Sequence, residues 1–204
     1  MSDCKLIIVG ASGHGKVVAD IARQNGYTDI AFLDDAPDKT ACAGYPVLGA
    51  VKDAPTHPDC DFIVAIGNDR IRQRVQVWLA EEGLSVVTLI HPAAVVAEDV
   101  VLGAGTVVAA GTVINPATVI GKGCIINTGA TVDHDNVLAD FVHVSVGSHL
   151  AGTVTVGTCT MIGAGAVVIN NVSICENCTV GAGAVVISNI DQSGTYIGVP
   201  ARKT

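Results

Sequence analysis

Aromatic side chains are scarce in this chain. Trp, Tyr and Phe together make 3% of its 204 residues, which excludes a conventional core built around bulky rings. Positive charge is also short, with 11 Lys and Arg against 19 Asp and Glu for a net charge of -8. That balance argues against non-specific nucleic-acid binding, which needs a basic surface. It says little about small anions, which local groups hold. No stretch approaches about 18 uninterrupted apolar residues, so no helical membrane span is expected. No signal peptide is expected either, because Lys5 precedes only a short apolar run ending at Gly10. The seven cysteines, Cys4, Cys42, Cys60, Cys124, Cys159, Cys175 and Cys178, are odd in number and scattered. They point to a reducing cytoplasm rather than a disulfide framework.

What is present is a period of six. From Ile90, every sixth residue through Val96, Leu102, Val108 and on to Val186 is Val, Ile or Leu, seventeen hexads without a slip. A helix needs apolar residues at steps of three and four, and a lone strand at steps of two. A strict period of six is the β-helix repeat, in which short strands meet at corners and coils stack. The aliphatic residue of each hexad is expected to point into a narrow prism. The fifth place is mostly small, as at Thr106, Cys124, Ala130, Ser148 and Cys178, and Gly is frequent at the second. Cys175 and Cys178 form a CxxC with no second pair, and Cys178 falls at a small inward place, so packing is its expected use. Parallel crossovers are normally right-handed, so the pattern alone does not give the hand of the coil.

Ahead of the prism the pattern alternates. Leu6 to Val9, Ile30 to Leu33, Phe62 to Ile66 and Val86 to Ile90 read as strands, with helices over 16–25 and 70–82 and loops over 36–60 that hold a short strand or turn near Tyr45 to Leu48. This is a βαβ domain with a small parallel sheet, Rossmann-like, over residues 1–88, with the β-helix over 89–204. Ligands belong at the carboxyl ends of such strands. The first strand runs into Gly10-Ala11-Ser12-Gly13-His14-Gly15, followed by Lys16. It is not a clean dinucleotide fingerprint, because Ser12 stands where the second Gly belongs. A tight turn at a helix N-terminus is nevertheless an anion site, with His14 and Lys16 adding donors. Asp34 lies about where a ribose-binding acid stands in a Rossmann unit.

Within the prism, Asp133, His134 and Asp135 stand in a row, and His134 occupies a hexad place with no call to point inward. A His beside carboxylates is a general-base candidate near neutral pH. Which acid pairs with it stays open. The last hexad place, expected to face outward, reads Val95, Val101, Val107, Val113, Val119 and Ile125, then later His143 and His149. Six outward aliphatics are expected to form an exposed apolar patch and so a subunit contact.

The glycine loop, the Asp133-His134-Asp135 row with Phe141 to Gly147 after it, and the terminal Tyr196 to Arg202 together resemble a known group. It is the left-handed β-helix sugar acetyltransferases with an N-terminal nucleotide-sugar domain. Its members include the UDP-4-amino-sugar (bacillosamine-type) N-acetyltransferases of bacterial protein glycosylation and the sialic acid O-acetyltransferases. The resemblance implies a left-handed coil, a homotrimer with active sites at subunit boundaries, acetyl-CoA as co-substrate and no metal. It implies His134 as the base that accepts the amine proton, with Asp135 beside it. His143, Gly152, Ala164, Ala182 and Arg202, with Lys203, would serve acetyl-CoA. Gly13, His14, Lys16, Asp34, Asp35 and Asn68 would hold the UDP-sugar, with Asn127 reaching in from the prism.

Three other readings remain at this stage. An O-acetyltransferase would use the same His on a hydroxyl. A β-helix zinc enzyme would use His143 and His149 as ligands, with no evident use for the first domain. A non-catalytic solenoid would leave the Asp-His-Asp row and the terminal GVPAR unexplained.

Overall fold

The computed structural model describes residues 5–204; Cys4 lies outside them. The chain divides into two compact units, the first ending at Pro92 and the second spanning Ala93–Thr204.

The first unit runs β1 (Leu6–Val9), α1 (Gly13–Gln24), β2 (Ile30–Leu33), β3 (Ala41–Cys42), β4 (Tyr45–Gly49), β5 (Asp61–Val64), α2 (Asp69–Glu81) and β6 (Ser85–Val86). The sheet order is β3-β4-β2-β1-β5-β6, parallel throughout except for the β3–β4 hairpin. Leu6 pairs with both Ile30 and Asp61, so β1 is central. β1 and β2 are buried along their whole length. Both faces of a parallel sheet are covered, which is why these strands read as unbroken aliphatic runs.

Boundaries differ from the expected ones where local chemistry overrides pattern. α1 begins at Gly13, three residues ahead of the apolar periodicity, because Ser12 takes the extended N-cap conformation. The expected strand over 86–90 is interrupted after Val86 and resumes at Leu89–Ile90. The loop over 36–60 contains a short 3-10 helix, Val51–Thr56. The buried residues of α2 are Arg72, Gln76 and Leu79, and Val75 packs, partly buried, against the same core.

The second unit is a left-handed parallel β-helix. From Val95 to Val186 each strand is two or three residues long, and the coils pair in parallel at an offset of eighteen residues; the longer Gly194–Ile197 closes the end, pairing with Cys178–Val180 and, antiparallel, with Arg202–Lys203. One face runs Val107, Ile125, His143, Met161, Thr179. The next runs Val95, Val113, Thr131, His149, Val167, Val185. The third runs Val101, Val119, Val137, Thr155, Ser173. The aliphatic ladder fills the interior from Val108 to Val186, with Val96 and Leu102 partly covered at its start. Ile90 is the exception to the expected ladder, being 36% exposed.

The small inward places are where the chain is stapled. Thr106 Oγ1 donates to Gly121 O and accepts from Cys124 N, one coil on. Thr160 repeats the pattern with Cys175 O and Cys178 N. A buried hydroxyl is tolerated there because both its donor and its acceptor are used. Cys178 is buried, and its Sγ lies 3.4 Å from that of Cys175 as a hydrogen-bonded thiol pair. Burial, with the neighbouring thiol adding to it, pushes the Cys178 thiol up to about 12, which suits packing rather than reactivity.

The outward aliphatics do not form the single patch expected from the sequence. Successive hexads belong to successive faces, so the six residues are spread two to a face. Val107 and Ile125 are moreover buried, at 1% exposure each, whereas Val95, Val101 and Val119 are exposed.

Candidate active site

His134 and Asp135 occupy a prism corner between the strands Thr131–Val132 and Val137–Leu138. Asp135 takes φ 57, a left-handed conformation that Asp tolerates better than most residues. The corner brings two sequence neighbours onto one side. Asp135 Oδ2 lies 2.7 Å from His134 Nδ1, which resolves which acid partners the imidazole. Asp133 is used otherwise. Its Oδ1 accepts from the backbone N–H of His134 at 2.8 Å and from Asn115 Nδ2 at 2.7 Å. The bond from Asn115, then that from His134 N, holds the Asp133 carboxyl below its usual range. Beneath the corner, Asn136 is buried, and its Nδ2 donates to Asp133 O and Ala151 O, so the turn is anchored from inside.

The Asp135 hydrogen bond raises the His134 pKa, and nearby Asp133 adds to this. A carboxylate at Nδ1 keeps the proton on that nitrogen and leaves the lone pair on Nε2. The ring lies over Gly152, one coil on. A Cβ at position 152 would come within 2.5 Å of Cε1 and 2.6 Å of Nε2. Glycine there is a requirement of the imidazole, not of the backbone.

His143 and Asn127 sit on a different face, the one that carries Ile125 and Met161. Asn127 Nδ2 is 3.3 Å from His143 Nε2, and Asn127 Oδ1 accepts from Thr128 N. His149 is on the face between, with its Nδ1 2.9 Å from Thr131 Oγ1. His143 and His149 therefore do not converge within a chain. Ala164 and Ala182 stack at the corner that follows the His143 face, whereas Gly152 is at the His134 corner. Arg202 lies in a terminal hairpin, paired with Ile197. There a hollow of about 450 Å³ is lined by Ile187, Ser188, Tyr196, Arg202 and Lys203, among others.

In the first unit, Gly10 has φ 108, and Gly15 approaches it so closely that a Cβ would run into Gly10 O. This is the tight strand-to-helix turn that the glycine spacing calls for. Asp34 serves the turn itself. Its Oδ2 accepts from Ala11 N at 2.7 Å and its Oδ1 from Ala36 N at 2.9 Å, with Lys39 Nζ at 3.2 Å. Burial pushes the Asp34 pKa up, but these bonds more than offset it and leave it lowered. Asp35 accepts from Val51 N, and Asn68 caps α2 by accepting from Ile71 N. With Lys39, Leu48 and Ala50, the two acids line a hollow of about 290 Å³. Lys16 and Gly13 are exposed. His14 is largely buried, and burial first, then the charge of Arg72, pulls its pKa down to about 4.

Arg72 is a residue that sequence reasoning missed. The available signal was a charged side chain seven residues before Leu79 on the face that α2 buries.

Comparison with known proteins places these features in a family. Residues 5–79 match the PglD N-terminal domain. The chain superposes on the acetyltransferase domain of PglB from Neisseria gonorrhoeae FA1090, solved with acetyl coenzyme A, with TM-score 0.96, 40% identity and 100% of both chains covered. The chain belongs to the β-helix sugar acetyltransferase family. It is also similar to PerB from Caulobacter crescentus, solved with CoA and GDP-perosamine, at 41% identity and TM-score 0.94, covering 98% of this chain and 97% of that one. A curated relative is UDP-N-acetylbacillosamine N-acetyltransferase of Bacillus subtilis (strain 168), 38% identical over 48% of this chain. The matched stretch spans about half of that relative, 48% of its length. Among the described residues no group of three or more His, Cys, Asp or Glu is placed to hold a metal. Among the described residues no helix is long and apolar enough to cross a membrane.

Proposed function

We propose that this chain transfers the acetyl group of acetyl-CoA to the 4-amino group of a UDP-linked amino-deoxy sugar, with His134 as general base. The observation that carries this reading is the Asp135–His134–Gly152 arrangement. It packs the ring against a glycine and leaves Nε2 with its lone pair on a side chain that is 57% exposed, so a reacting nitrogen can approach from the open side. The amine nitrogen attacks the thioester carbonyl, the new C–N bond forms and the C–S bond breaks. Nε2 takes the proton that the nitrogen loses and returns it to the departing thiolate. Backbone N–H groups of the coils stabilise the oxyanion. The side-chain partner of the His134 ring is a carboxylate, not a hydroxyl or thiol, which favours direct transfer over a covalent acyl-enzyme.

The acetyl-CoA assignment is supported by the corner itself. Positions 152, 170 and 188 follow His134 along one edge, and Ser188 lines the hollow of Arg202 and Lys203. At about 4.8 Å per coil, three rungs span about 14 Å, a fitting reach for a pantetheine arm between a phosphate on the basic residues and a thioester at His134. In the first unit the sugar nucleotide would lie at the glycine loop, with His14, Lys16, Asp34, Asp35 and Asn68 around it. UDP follows the bacillosamine relative; the PerB structure was solved with a GDP-sugar instead.

A homotrimer completes the site. His134 is at one corner while His143 and Asn127 are on a face beyond the neighbouring one. If all three serve one acceptor, two copies must supply them. A panel of UDP- and GDP-linked amino sugars with acetyl-CoA, followed by thiol release, tests the proposal. Turnover of UDP-linked 4-amino sugars in preference to GDP-linked ones is the expected result. Exclusive use of a GDP-sugar would replace the nucleotide, and use of a hydroxyl acceptor alone would replace the reaction by O-acetylation.

A further inference from the structure

Behind the glycine loop the first unit buries a whole arginine. Arg72 is 0% exposed and heads the largest fully buried side chains of the described residues. Arg is almost never fully buried unless it is paired. It stands on the core-facing stripe of α2, where an aliphatic residue would otherwise be placed. Its Nη1 donates to the carbonyls of Ile66 at 2.9 Å and Gly67 at 3.0 Å, the residues that lead β5 into α2. That segment is also the wall against which the glycine loop packs. A Cβ at Gly10 would meet Ala65 O at 2.9 Å and Ile66 Cγ1 at 3.0 Å.

His14 lies in the first turn of α1. Its Nε2 is buried and meets no hydrogen-bond partner among the described residues. A buried polar atom left unmet is costly, and a ligand atom placed beside it recovers that cost. At the cap of α1, Ser12 makes no side-chain bond to the helix start.

We propose that Arg72 is a positioning residue for the nucleotide-sugar site, fixing the segment that supports the glycine loop and presenting His14 to the ligand as an uncharged imidazole. The proposal rests on the assignment of that ligand to the glycine loop made above. Arg72 does not touch the ligand; it acts through the loop and through His14. Among the described residues it is the charged group whose field bears on His14, where it acts with burial to hold the pKa at about 4. An uncharged His14 neither attracts a stray anion nor changes charge across the neutral range.

The test uses the full chain with Arg72→Met, which keeps the stem volume and removes the charge, and Arg72→Lys, which keeps the charge and loses the fork. Two quantities are read: the His14 titration by NMR in the free protein, and the KM values for nucleotide sugar and acetyl-CoA. In Arg72→Met the His14 pKa should rise by at least about half a unit as one of its two depressing causes is removed. The nucleotide-sugar KM should rise at least about tenfold while the acetyl-CoA KM changes less than about twofold. In Arg72→Lys the His14 titration should stay near its wild-type position, with the sugar KM still raised because the shorter side chain does not carry its ammonium to where Nη1 meets the Ile66 and Gly67 carbonyls. An unmoved His14 titration in Arg72→Met, or equal changes in both KM values, overturns the proposal. If Arg72→Met does not fold, an unchanged sugar KM in Arg72→Lys overturns it. If wild type accepts no nucleotide-linked amino sugar, the ligand assignment fails, and the titration still decides whether Arg72 governs His14.

Discussion

The imidazole of His134 rests on Gly152, with Nε2 only 2.6 Å from where a Cβ would stand. The backbone of Gly152 is not among the positive-φ glycines. Alanine is therefore conformationally acceptable there, and the clash is with the ring alone. Gly152→Ala should push the ring off its place while leaving the coil intact. The expected outcome is a fall in kcat of at least about tenfold, part of the 10²–10⁴ that a positioned base contributes, with the melting temperature nearly unchanged. A kcat close to wild type would mean that the ring position over residue 152 is not used.

Asp135 sets the protonation of His134. Its hydrogen bond raises the His134 pKa above 6.5, and a base works only when it is unprotonated. The acid limb of kcat/KM should therefore lie above pH 6.5. Asp135→Asn should move that limb to lower pH and reduce kcat less than His134→Ala does. A pH–rate profile of the two variants checks this, and a limb that stays in place would separate Asp135 from the titrating group.

Two copies are expected to share each site. His134→Ala and His143→Ala should each be poor enzymes alone. Co-refolded, random mixed trimers should recover up to about a quarter of wild-type activity, the fraction of sites that draw each intact residue from the right neighbour. No recovery from verified mixed trimers would place both histidines in one chain's site or remove one of them from catalysis.

Acid should weaken the first unit earlier than its carboxylates do. His14 is neutral in the fold down to about pH 4, whereas the unfolded chain takes up a proton near 6.5. Its contribution is therefore fully present above pH 6.5 and is lost as the pH falls toward 4, by about 3 kcal/mol at most. Asp34, held low, keeps its contribution until the pH falls below the ordinary carboxylate range. Denaturant melts between pH 7 and 4 should show the slope in wild type and a flatter one in His14→Asn.

The β-helix was legible because one face of every hexad must be aliphatic, and a period of six leaves no other fold. The same periodicity misled at the surface. A run of outward valines along the chain looks continuous, yet each corner carries the next one to a different face, and burial at Val107 and Ile125 follows from the fold, not from their own hexads. His134 stood out because its hexad place has no inward role, but its partner did not. Strand alternation sends neighbours to opposite sides, and only the left-handed φ of Asp135 brings them together. Asp34 and Asn68 were read as ligand contacts, while the structure also uses them to hold Ala11 N and to cap α2. Arg72 was passed over because a charged residue on a helix is ordinarily solvated; its place on the Leu79 stripe was a signal, but the linear pattern does not show the carbonyls of Ile66 and Gly67 that it reaches.

The most direct measurement offers wild type and His134→Ala the same pair of acceptors with acetyl-CoA. One is a UDP-linked 4-amino sugar, the other its 4-hydroxy counterpart. The account predicts thiol release matched by amide formation with the amine only, and a loss of at least about a hundredfold in kcat for His134→Ala with little change in the acetyl-CoA KM. Turnover of the hydroxyl acceptor alone, or a His134→Ala enzyme that keeps more than about a tenth of wild-type kcat on the amine, would contradict it.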